Sequence, residues 1–401
     1  MSEWKKVSLD QMGTVSRGKS KHRPRNDARL FGGKYPFIQT GDIGSAGLYV
    51  NEFSQTYNEE GLAQSKLWEK DTLCITIAAN IADTALLAFP ACFPDSIMGF
   101  VADPKISNVK FVKYCFDILQ RDCKQISQGA AQDNLSWKKL STIEFPCPPI
   151  EVQHRIATIL SRYDSLIENY QKQIKLLEEA AQRLYKEWFI DLHFPGHENT
   201  KIVDGVPEGW EKKKISDVCE TVGGGTPSTK VPAYYKGGRI KWVTPTDITR
   251  NNCICLLDTD KKITEEGLRN SSTKMVPAGT ILMTSRASVG YFGIADFEVC
   301  TNQGFISCIP IPNMQMYLLF NLMSRVDEIR KKAGGSTYLE ISKSVFRNFD
   351  IVCPSEIILL QFQDKASLVL KKEKTLSLQL RLLTEARDRL LPKLMSGEIT
   401  V

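Results

Sequence analysis

The chain has 401 residues, of which 42% are apolar and 24% charged, and its formal net charge is +6. That length allows two or three domains, the composition is ordinary for a soluble globular protein, and the mild positive charge permits nucleic-acid binding without requiring it. The eleven cysteines include no CxxC pair, and no apolar leader or membrane span stands out, so we expect a reduced, cytoplasmic protein.

Residues 1–150 alternate short apolar runs with Gly, Pro and Asn, which predicts a globular domain rich in strands. We expect strands at Tyr35–Gln39, Thr72–Ala78 and Ile143–Phe145. A helix is expected at Phe111–Gln120, where the apolar residues share one face.

Near the start of this domain, the loop Arg17–Arg29 carries six Lys or Arg residues against one Asp. Gly, Pro and Asn interrupt the loop, which argues against a helix or strand. Lys and Arg bind phosphates, and either can also make paired hydrogen bonds to guanine in the major groove. The loop is therefore a candidate DNA contact, and the alternative is an ordinary solvated loop. The candidate residues are Arg17, Lys19, Lys21, Arg23 and Arg25.

A stretch without proline or glycine, Glu151–Asp191, follows the first domain. Its apolar residues recur at alternating steps of four and three, which is the coiled-coil period. Such a seam needs a partner helix, and Ser355–Pro392 offers a comparable seam that Glu373 and Arg387 interrupt. We expect the two helices to pair antiparallel, and Pro392 to end or kink the second one. The alternative is two separate amphipathic helices packed on separate domains.

The chain repeats itself at a spacing of about 206 residues. Glu59-Glu-Gly-Leu62 recurs as Glu265-Glu-Gly-Leu268, and Trp4 corresponds to Trp210. A collinear series of such matches indicates duplication. We therefore predict an α/β (α+β) protein with two similar globular domains separated by two long helices that form an antiparallel coiled coil, an internal pseudo-twofold duplication. The predicted segments are 1–150 (first domain), 151–192 (central helical region), 193–207 (linker), 208–353 (second domain) and 354–401 (C-terminal helical region).

Short polar side chains occupy matching positions in both halves, at predicted strand ends and in the loop before the last strand of each domain. Such groups suit base edges and phosphates, although each one can instead cap a turn. The run Gly223-Gly-Gly-Thr-Pro227 predicts a flexible turn and, without a following Gly-Lys-Ser/Thr, is not a P-loop. The candidate DNA contacts are Gln39, Thr40, Asp42, Gln128, Gln132 and Asn134 in the first half, and Thr226, Ser228, Lys230, Thr244, Thr246, Asp247, Arg250, Ser285, Arg286, Asn302, Gln303, Ser336, Thr337, Tyr338 and Lys343 in the second.

The sequence lacks the motifs that catalysis by this chain would need. An adenine methyltransferase holds its flipped base with an Asn- or Asp-Pro-Pro-aromatic loop, and the nearest string, Cys147-Pro-Pro-Ile150, lacks both ends of that motif. His193 and His197 stand four residues apart, but the second half of a zinc site does not follow. We therefore expect neither catalytic residues nor a metal site.

The whole chain resembles the specificity subunit of type I restriction–modification systems. The likeness is most specific in the closing run Leu383–Ile399 and in the central run Leu184–Ile190 that leads to Gly205–Trp210. In the second domain it also covers Thr284–Gly290 and Thr301–Phe305. The first-half counterparts of these motifs differ in sequence, as two domains that read different DNA sequences would.

That resemblance implies a non-catalytic DNA reader whose partners are double-stranded DNA, two modification (methyltransferase) subunits and restriction subunits. Each domain is expected to be a target-recognition domain for one half of a split, asymmetric site, while the helical pair sets the gap and docks the modification subunits. S-adenosylmethionine is expected on those subunits, with no cofactor on this chain. The rival class is a coiled-coil scaffold that holds two protein-binding domains.

Overall fold

The computed structural model describes residues 4–77, 82–127, 140–251, 253–335 and 338–401. Its contacts divide the chain into two compact units, one formed by Met1–Asn169 with Arg381–Val401 and the other by Tyr170–Leu380. The division falls inside both long helices. Each unit therefore contains one globular domain and part of each helix.

Two sheets and one strand pair form the first domain. Its strands are β1 (Lys5–Val7), β2 (Gly13–Arg17), β3 (Phe31–Phe37), β4 (Tyr49–Val50), β5 (Gln55–Tyr57), β6 (Leu67–Trp68), β7 (Leu73–Thr76), β8 (Thr84–Leu87), β9 (Ala91–Cys92), β10 (Ile97–Ala102) and β11 (Phe145–Cys147). The larger sheet has the order β2-β10-β7-β8-β4, the smaller has the order β5-β3-β9-β6, and β1 pairs with β11. The helices are α1 (Thr40–Ser45), α2 (Glu59–Ala63), α3 (Val109–Ser127) and the first long helix α4 (Ile150–Tyr185), with 3-10 turns at Leu9–Gln11 and Ala28–Leu30.

The second domain repeats this topology. After a linker hairpin of β12 (Ile202–Val203) and β13 (Val206–Pro207), its strands are β14 (Glu211–Lys214), β15 (Cys219–Gly223), β16 (Ile240–Val243), β17 (Cys255–Leu256), β18 (Lys261–Ile263), β19 (Met275–Val276), β20 (Ile281–Thr284), β21 (Phe292–Ala295), β22 (Val299–Thr301), β23 (Phe305–Pro310) and β24 (Asp350–Cys353). The helices are α5 (Ile215–Val218), α6 (Pro245–Thr249), α7 (Glu265–Arg269), α8 (Gln315–Ser324), α9 (Val326–Lys332), α10 (Lys343–Arg347) and the second long helix α11 (Glu356–Met395), with 3-10 turns at His197–Asn199 and Pro232–Tyr234.

The strand orders of the second domain confirm the duplication. They are β15-β23-β20-β21-β17 in the larger sheet and β18-β16-β22-β19 in the smaller, with β14 paired to β24. Strand directions match as well, because β4–β8 and β17–β21 are parallel at the same edge, and β3–β9 and β16–β22 are parallel in the smaller sheets. The two domains are therefore copies of one mixed α+β fold, as the repeat predicts.

The central strands are apolar at successive positions because both faces of each larger sheet are covered. In β7, Leu73 and Ile75 belong to the core shared with the helices, while Cys74 belongs to the core on the other face. In β20, Met283 and Leu282 divide between two cores in the same way. The alternation of side chains along a strand thus produces a three-layer arrangement of helices, larger sheet and smaller sheet in each domain.

Individual elements differ from the predicted ones at their ends. The strand predicted at Tyr35–Gln39 runs from Phe31 to Phe37, because α1 begins at Thr40. The strand predicted at Ile143–Phe145 starts only at Phe145. The helix predicted at Phe111–Gln120 lies within α3, and the strand predicted at Thr72–Ala78 is β7, with Ala78 outside the described residues.

The two long helices pair antiparallel within each unit. In the first unit, Ile156 and Leu160 of α4 share one core with Leu391 and Leu394 of α11. In the second unit, the rings of Tyr185 and Trp188 lie 6.2 and 6.0 Å from that of Phe362, and Ala181 shares their core with Ala366. After Tyr185 the helix continues into one π-turn, Lys186–Ile190. The predicted pairing of the helices is confirmed, and the alternative of two unpaired helices is wrong.

Both residues that interrupt the seam of α11 belong to polar networks. In the first unit, Arg387 Nη1 lies 2.8 Å from Asp164 Oδ1, and the hydroxyl of Tyr114 donates to Asp164 Oδ2 at 2.5 Å. A buried carboxylate next to a guanidinium and a hydroxyl has its charge and lone pairs satisfied. Arg387 therefore replaces an apolar contact of the seam with an ion pair between the two helices.

In the second unit, Glu373 is buried and accepts a hydrogen bond from the Cys255 amide at 2.8 Å. Glu178 of α4 accepts one from the next amide, that of Ile254, at 2.7 Å. Burial and the neighbouring charge of Glu178 raise the pKa of Glu373 to about 7, and burial also raises the pKa of Glu178. The two carboxyl groups together hold the start of β17 against both long helices.

The helix α11 does not end at Pro392, because it continues to Met395. Proline removes one helical N–H and crowds the preceding turn. In the last turn that loss affects one hydrogen bond, and the buried side chains of Leu391, Leu394 and Met395 hold the turn in place. The Ser396 amide then donates to the Pro392 carbonyl at 3.0 Å.

Candidate nucleic-acid interface

A cleft of about 800 Å³ in the first domain is lined by several of the residues predicted to contact DNA. The loop after β2 contributes Arg25, and the N-terminus of α1 contributes Gln39 and Thr40. Phe31 and Phe37 of β3 form an apolar wall. A cleft that combines aromatic faces with amide, hydroxyl and guanidinium groups offers both hydrogen bonds and flat contact surfaces to a nucleic acid.

The basic loop that leads into this cleft is held by internal hydrogen bonds. Arg23 donates to the carbonyls of Ser20 and His22 at 2.7 and 2.8 Å, so its guanidinium is engaged with the backbone. Asp27 accepts from Arg29 and His22, and the bonds from Arg29 keep the pKa of Asp27 well below its usual value. Some charged side chains of the loop therefore form hydrogen bonds that stabilise its conformation, while others are exposed to solvent. Arg17, Lys19 and Lys21 are exposed.

Gln39 and Asp42 illustrate two uses of polar residues at a helix start. The side-chain amide of Gln39 donates to Gln55 Oε1 at 2.6 Å, which orients it at the edge of the cleft. Asp42 instead accepts from the Gln39 backbone amide at 2.7 Å. The carboxylate thus caps α1, which is the structural alternative that the sequence left open.

In the second domain, a smaller cleft of about 240 Å³ is lined by predicted residues from three loops. They are Arg286, Asn302, Gln303 and Tyr338. Asn302 Oδ1 accepts from the Gly304 amide at 2.9 Å, and Gln303 accepts from the Thr226 hydroxyl. These bonds fix the two amide side chains and bring Thr226 to the same cleft.

Other candidates in this domain have structural partners. Asp247 accepts from the Thr244 amide and hydroxyl, each at 2.7 Å, and caps α6. Ser285 is buried, and its amide and carbonyl bond Gly304 and Ile341. The remaining described candidates are Thr246, Ser228, Lys230 and Arg250, which are exposed, and Lys343, the first residue of α10. Gln128, Gln132, Asn134, Ser336 and Thr337 lie outside the described residues.

The glycine-rich run after β15 is packed rather than open. A Cβ on Gly224 would lie 1.9 Å from the Asn302 carbonyl oxygen, so only glycine fits there. The Gly225 amide donates to the Thr301 carbonyl at 2.9 Å, and its own carbonyl accepts from the Trp242 indole at 3.0 Å. The interpretation as a flexible turn is therefore replaced by a backbone segment fixed beside the second cleft.

Three residues at the clefts did not stand out in the sequence. Gln55 lines the first cleft, and Asp95 lies 2.5 Å from Arg25. Glu340 lies 3.6 Å from Arg286 at the second cleft. Asp95 and Arg25 are 70 residues apart in the chain. The one sequence signal for Asp95 is that it begins Asp95–Phe100, the first-half counterpart of the motif that ends at Phe305.

Within the described residues, groups of three or more metal-ligating side chains are not brought together. The imidazole rings of His193 and His197 lie 5.3 Å apart in the linker. Over the same residues, the helices lack the combination of length and apolarity that a bilayer crossing requires.

Comparison with known proteins gives consistent matches over the whole chain. A family model described as the type I restriction modification DNA specificity domain matches residues 1–179 and 207–367. The specificity subunit of the type I restriction enzyme MjaIX of Methanocaldococcus jannaschii is 25% identical over 415 residues, covering 100% of this chain and 94% of the relative. That of HindI from Haemophilus influenzae is 25% identical and covers 100% of both chains.

A solved structure shares the fold. It is the crystal structure of a type I restriction–modification system S subunit from M. genitalium, with a TM-score of 0.63 and 17% sequence identity. The match covers 98% of this chain and 96% of the other. The arrangement of two duplicated domains with long helices is thus found in that protein as well.

Proposed function

Because the chain belongs to the family of type I restriction–modification DNA specificity proteins, we propose that each of its two domains reads one half of a bipartite, asymmetric DNA site. The chain acts as the sequence reader of a larger complex and performs no chemistry itself. Adenine methylation, with S-adenosylmethionine as the methyl donor, belongs to modification subunits that dock on it. Restriction subunits join that assembly, and the complex acts on DNA in the cytoplasm.

The observation that supports this proposal is that both domains share one topology and that each has a cleft lined by residues from equivalent elements. Thr40 at the first cleft and Pro245 at the second open equivalent helices, α1 and α6. Ser96 and Asn302 likewise follow equivalent strands, β9 and β22. The chemical character of the clefts nevertheless differs. Two domains that share one fold but carry different polar groups can recognise different half-sites, because bases are distinguished by the donor and acceptor pattern of their edges.

The helical pair supplies the second requirement, which is a defined spacing. Two recognition domains that enter the major groove from one side of the duplex should contact half-sites whose centres are about 34–36 Å apart, which is one turn of the DNA helix. Helices buried along a seam in both units cannot slide without exposing that seam. We therefore assign the gap between the half-sites to α4 and α11.

The test is selection from a random duplex pool by the complete complex with its modification subunits. The expected result is a split motif, two short defined sequences separated by a gap of fixed length. Binding to the selected duplex should also fall steeply with salt, because phosphate contacts release counterions. A pool without enrichment would reject the DNA reader in favour of a protein-binding scaffold.

A further inference from the structure

Each cleft contains one arginine that forms an ion pair with a carboxylate. In the first domain, Arg25 Nη2 lies 2.5 Å from Asp95 Oδ1. In the second, Arg286 Nε lies 3.6 Å from Glu340 Oε2. These arginines do not occupy equivalent positions in the repeat, since Arg25 follows β2 and Arg286 follows β20. The same pair of functional groups has therefore been placed at both clefts from different loops.

The backbone around Arg286 is fixed on both sides. The Ser285 amide donates to Gly304 and the Ala287 amide to Leu339, each at 2.8 Å, and Arg286 and Glu340 form a β-bridge. Ala287 has a φ of 60°, a left-handed conformation that side chains other than glycine rarely adopt. Such a conformation persists where the surroundings enforce it, and here it aims the preceding side chain at the cleft.

The loop of Arg25 is similarly constrained. Gln64 Oε1 accepts from the Lys21 and His22 amides at 2.6 and 3.0 Å, and the Asp27 amide donates to Pro24 at 3.2 Å. Arg25 donates to Asp95 through Nη2. Its other N–H groups have no second acceptor among the residues that the structure describes, so they can bind a ligand.

Fold stability does not account for these pairs. The Arg25 and Asp95 side chains are 49% and 37% exposed, and those of Arg286 and Glu340 are 46% and 49% exposed. Ion pairs with this exposure contribute little to folding, because water already solvates both charges. A carboxylate beside an arginine does, however, restrict the orientation of the guanidinium, which increases the selectivity of its remaining hydrogen bonds.

The carboxylate also distinguishes between two DNA ligands. Beside a phosphate, Asp95 or Glu340 would add like-charge repulsion and weaken the contact. Beside a G·C pair in the major groove, the arginine can donate to guanine O6 and N7, while a carboxylate can accept from the cytosine amino group. The pairs are thus better suited to base edges than to the backbone.

We propose that Arg25 and Arg286 are the guanine-reading residues of the two half-sites, and that Asp95 and Glu340 are their positioning residues. This inference rests on the proposed function. Because the arginines come from different loops, the guanines they read should occupy different places within the two half-sites. Neither arginine needs the other, so each should affect one half-site alone.

The experiment is the same pool selection, performed with the complete complex carrying Arg25→Lys, Arg286→Lys or Asp95→Asn. Lysine keeps the charge and loses the planar fork. Arg25→Lys should reduce the preference for guanine at one position of one half-site by roughly 10- to 100-fold, and Arg286→Lys should do so in the other half-site. The matched control is Arg29→Lys, since Arg29 sits in the same loop and pairs with Asp27 but does not line the cleft.

Asp95→Asn should weaken the same guanine preference that depends on Arg25. Combined with Arg25→Lys, it should add no further loss, because a positioning residue acts through the residue it holds. Equal weakening of all sequences by Arg25→Lys would identify a phosphate contact and overturn the inference. A wild-type pool without a split motif would instead reject the proposed function, whereas a split motif unchanged by these variants would reject this inference alone.

Discussion

Glu373 shows how a single buried residue makes this fold sensitive to pH. Its carboxyl group lies between the Cys255 amide and Glu178, and burial raises its pKa to about 7. The nearby thiol of Cys253 has its pKa raised to about 12 by burial, so it stays protonated across the neutral range. The carboxyl pair is thus the titrating part of this contact.

In the unfolded chain, Glu373 loses its proton near its ordinary pKa, whereas in the folded chain it keeps the proton until about pH 7. The folded state therefore binds more protons between these values, and stability should fall as pH rises from about 4.5 to 7, by on the order of 1–3 kcal/mol. Glu373→Gln keeps an acceptor for the amide and removes the titration. We expect it to flatten this part of the stability curve, measured by denaturant unfolding at pH 5, 6, 7 and 8.

The control for this prediction is Glu385→Gln on the exposed face of the same helix. That variant should retain the wild-type slope. A Glu373→Gln curve that declines from pH 5 to 7 as steeply as the wild type would mean that another group titrates, and the assignment to Glu373 would be rejected.

At the scale of elements, the sequence predicts what depends on local periodicity and misses what depends on distant contacts. The seam of α4 is visible because residues such as Ile156, Leu160 and Ala181 repeat at helical spacing, and all three are buried. Thr244 and Asp247 are predicted DNA contacts with turn capping as the alternative, and the structure shows that Asp247 caps α6. The packing of Gly224 against Asn302 joins residues far apart in the chain, so the run looked like a free turn.

The same limit applies to the clefts. Gln39 ends a predicted strand and Thr40 follows it, and the repeat marks their counterparts as comparable. The partners that orient candidate side chains, such as Gln55 for Gln39 and Asp95 for Arg25, become visible only when separate loops meet. Residue type and periodicity therefore indicate where polar groups cluster, whereas their pairing is a tertiary property.

The helical pair permits a direct test of its role in spacing. Four residues inserted after Asn169 in α4 and four after Leu380 in α11, where the two units divide, add slightly more than one turn to each helix and roughly 6 Å of length. The gap between half-sites should increase by up to about two base pairs, at roughly 3.4 Å each, while the half-site sequences stay the same. Pool selection measures both quantities.

A four-residue insertion at Asp204–Gly205, in the turn of the linker hairpin, is the matched control. Because it lengthens no helix, the gap should remain that of the wild type. A change in the half-site sequences after the helical insertions would contradict the assignment of spacing to the helices.

For the molecule as a whole, charge should govern affinity, while the clefts govern sequence preference. Lys19, Lys21 and Lys230 are exposed and lie on the loops around the clefts. Replacing all three by Gln should reduce the slope of log K against log salt by about 3, since each phosphate contact contributes roughly 0.9. Titrations of the selected duplex at several salt concentrations measure this slope.

The corresponding control replaces Lys365, Lys371 and Lys372, which are exposed on α11 outside both clefts. It changes the net charge equally and should leave the slope close to that of the wild type. Equal effects of the two triple variants would show that overall charge, rather than contact at the loops, determines the salt dependence.

The division of each long helix between two units affects how the protein is made. The core of the first unit contains Leu391, Leu394 and Met395, which a ribosome adds only after it has translated all of Tyr170–Leu380. At 5–20 residues per second, that segment occupies roughly 10–40 s. During that interval the nascent first domain carries an open hydrophobic surface that its own later sequence must cover, so the half translated first is the half completed last.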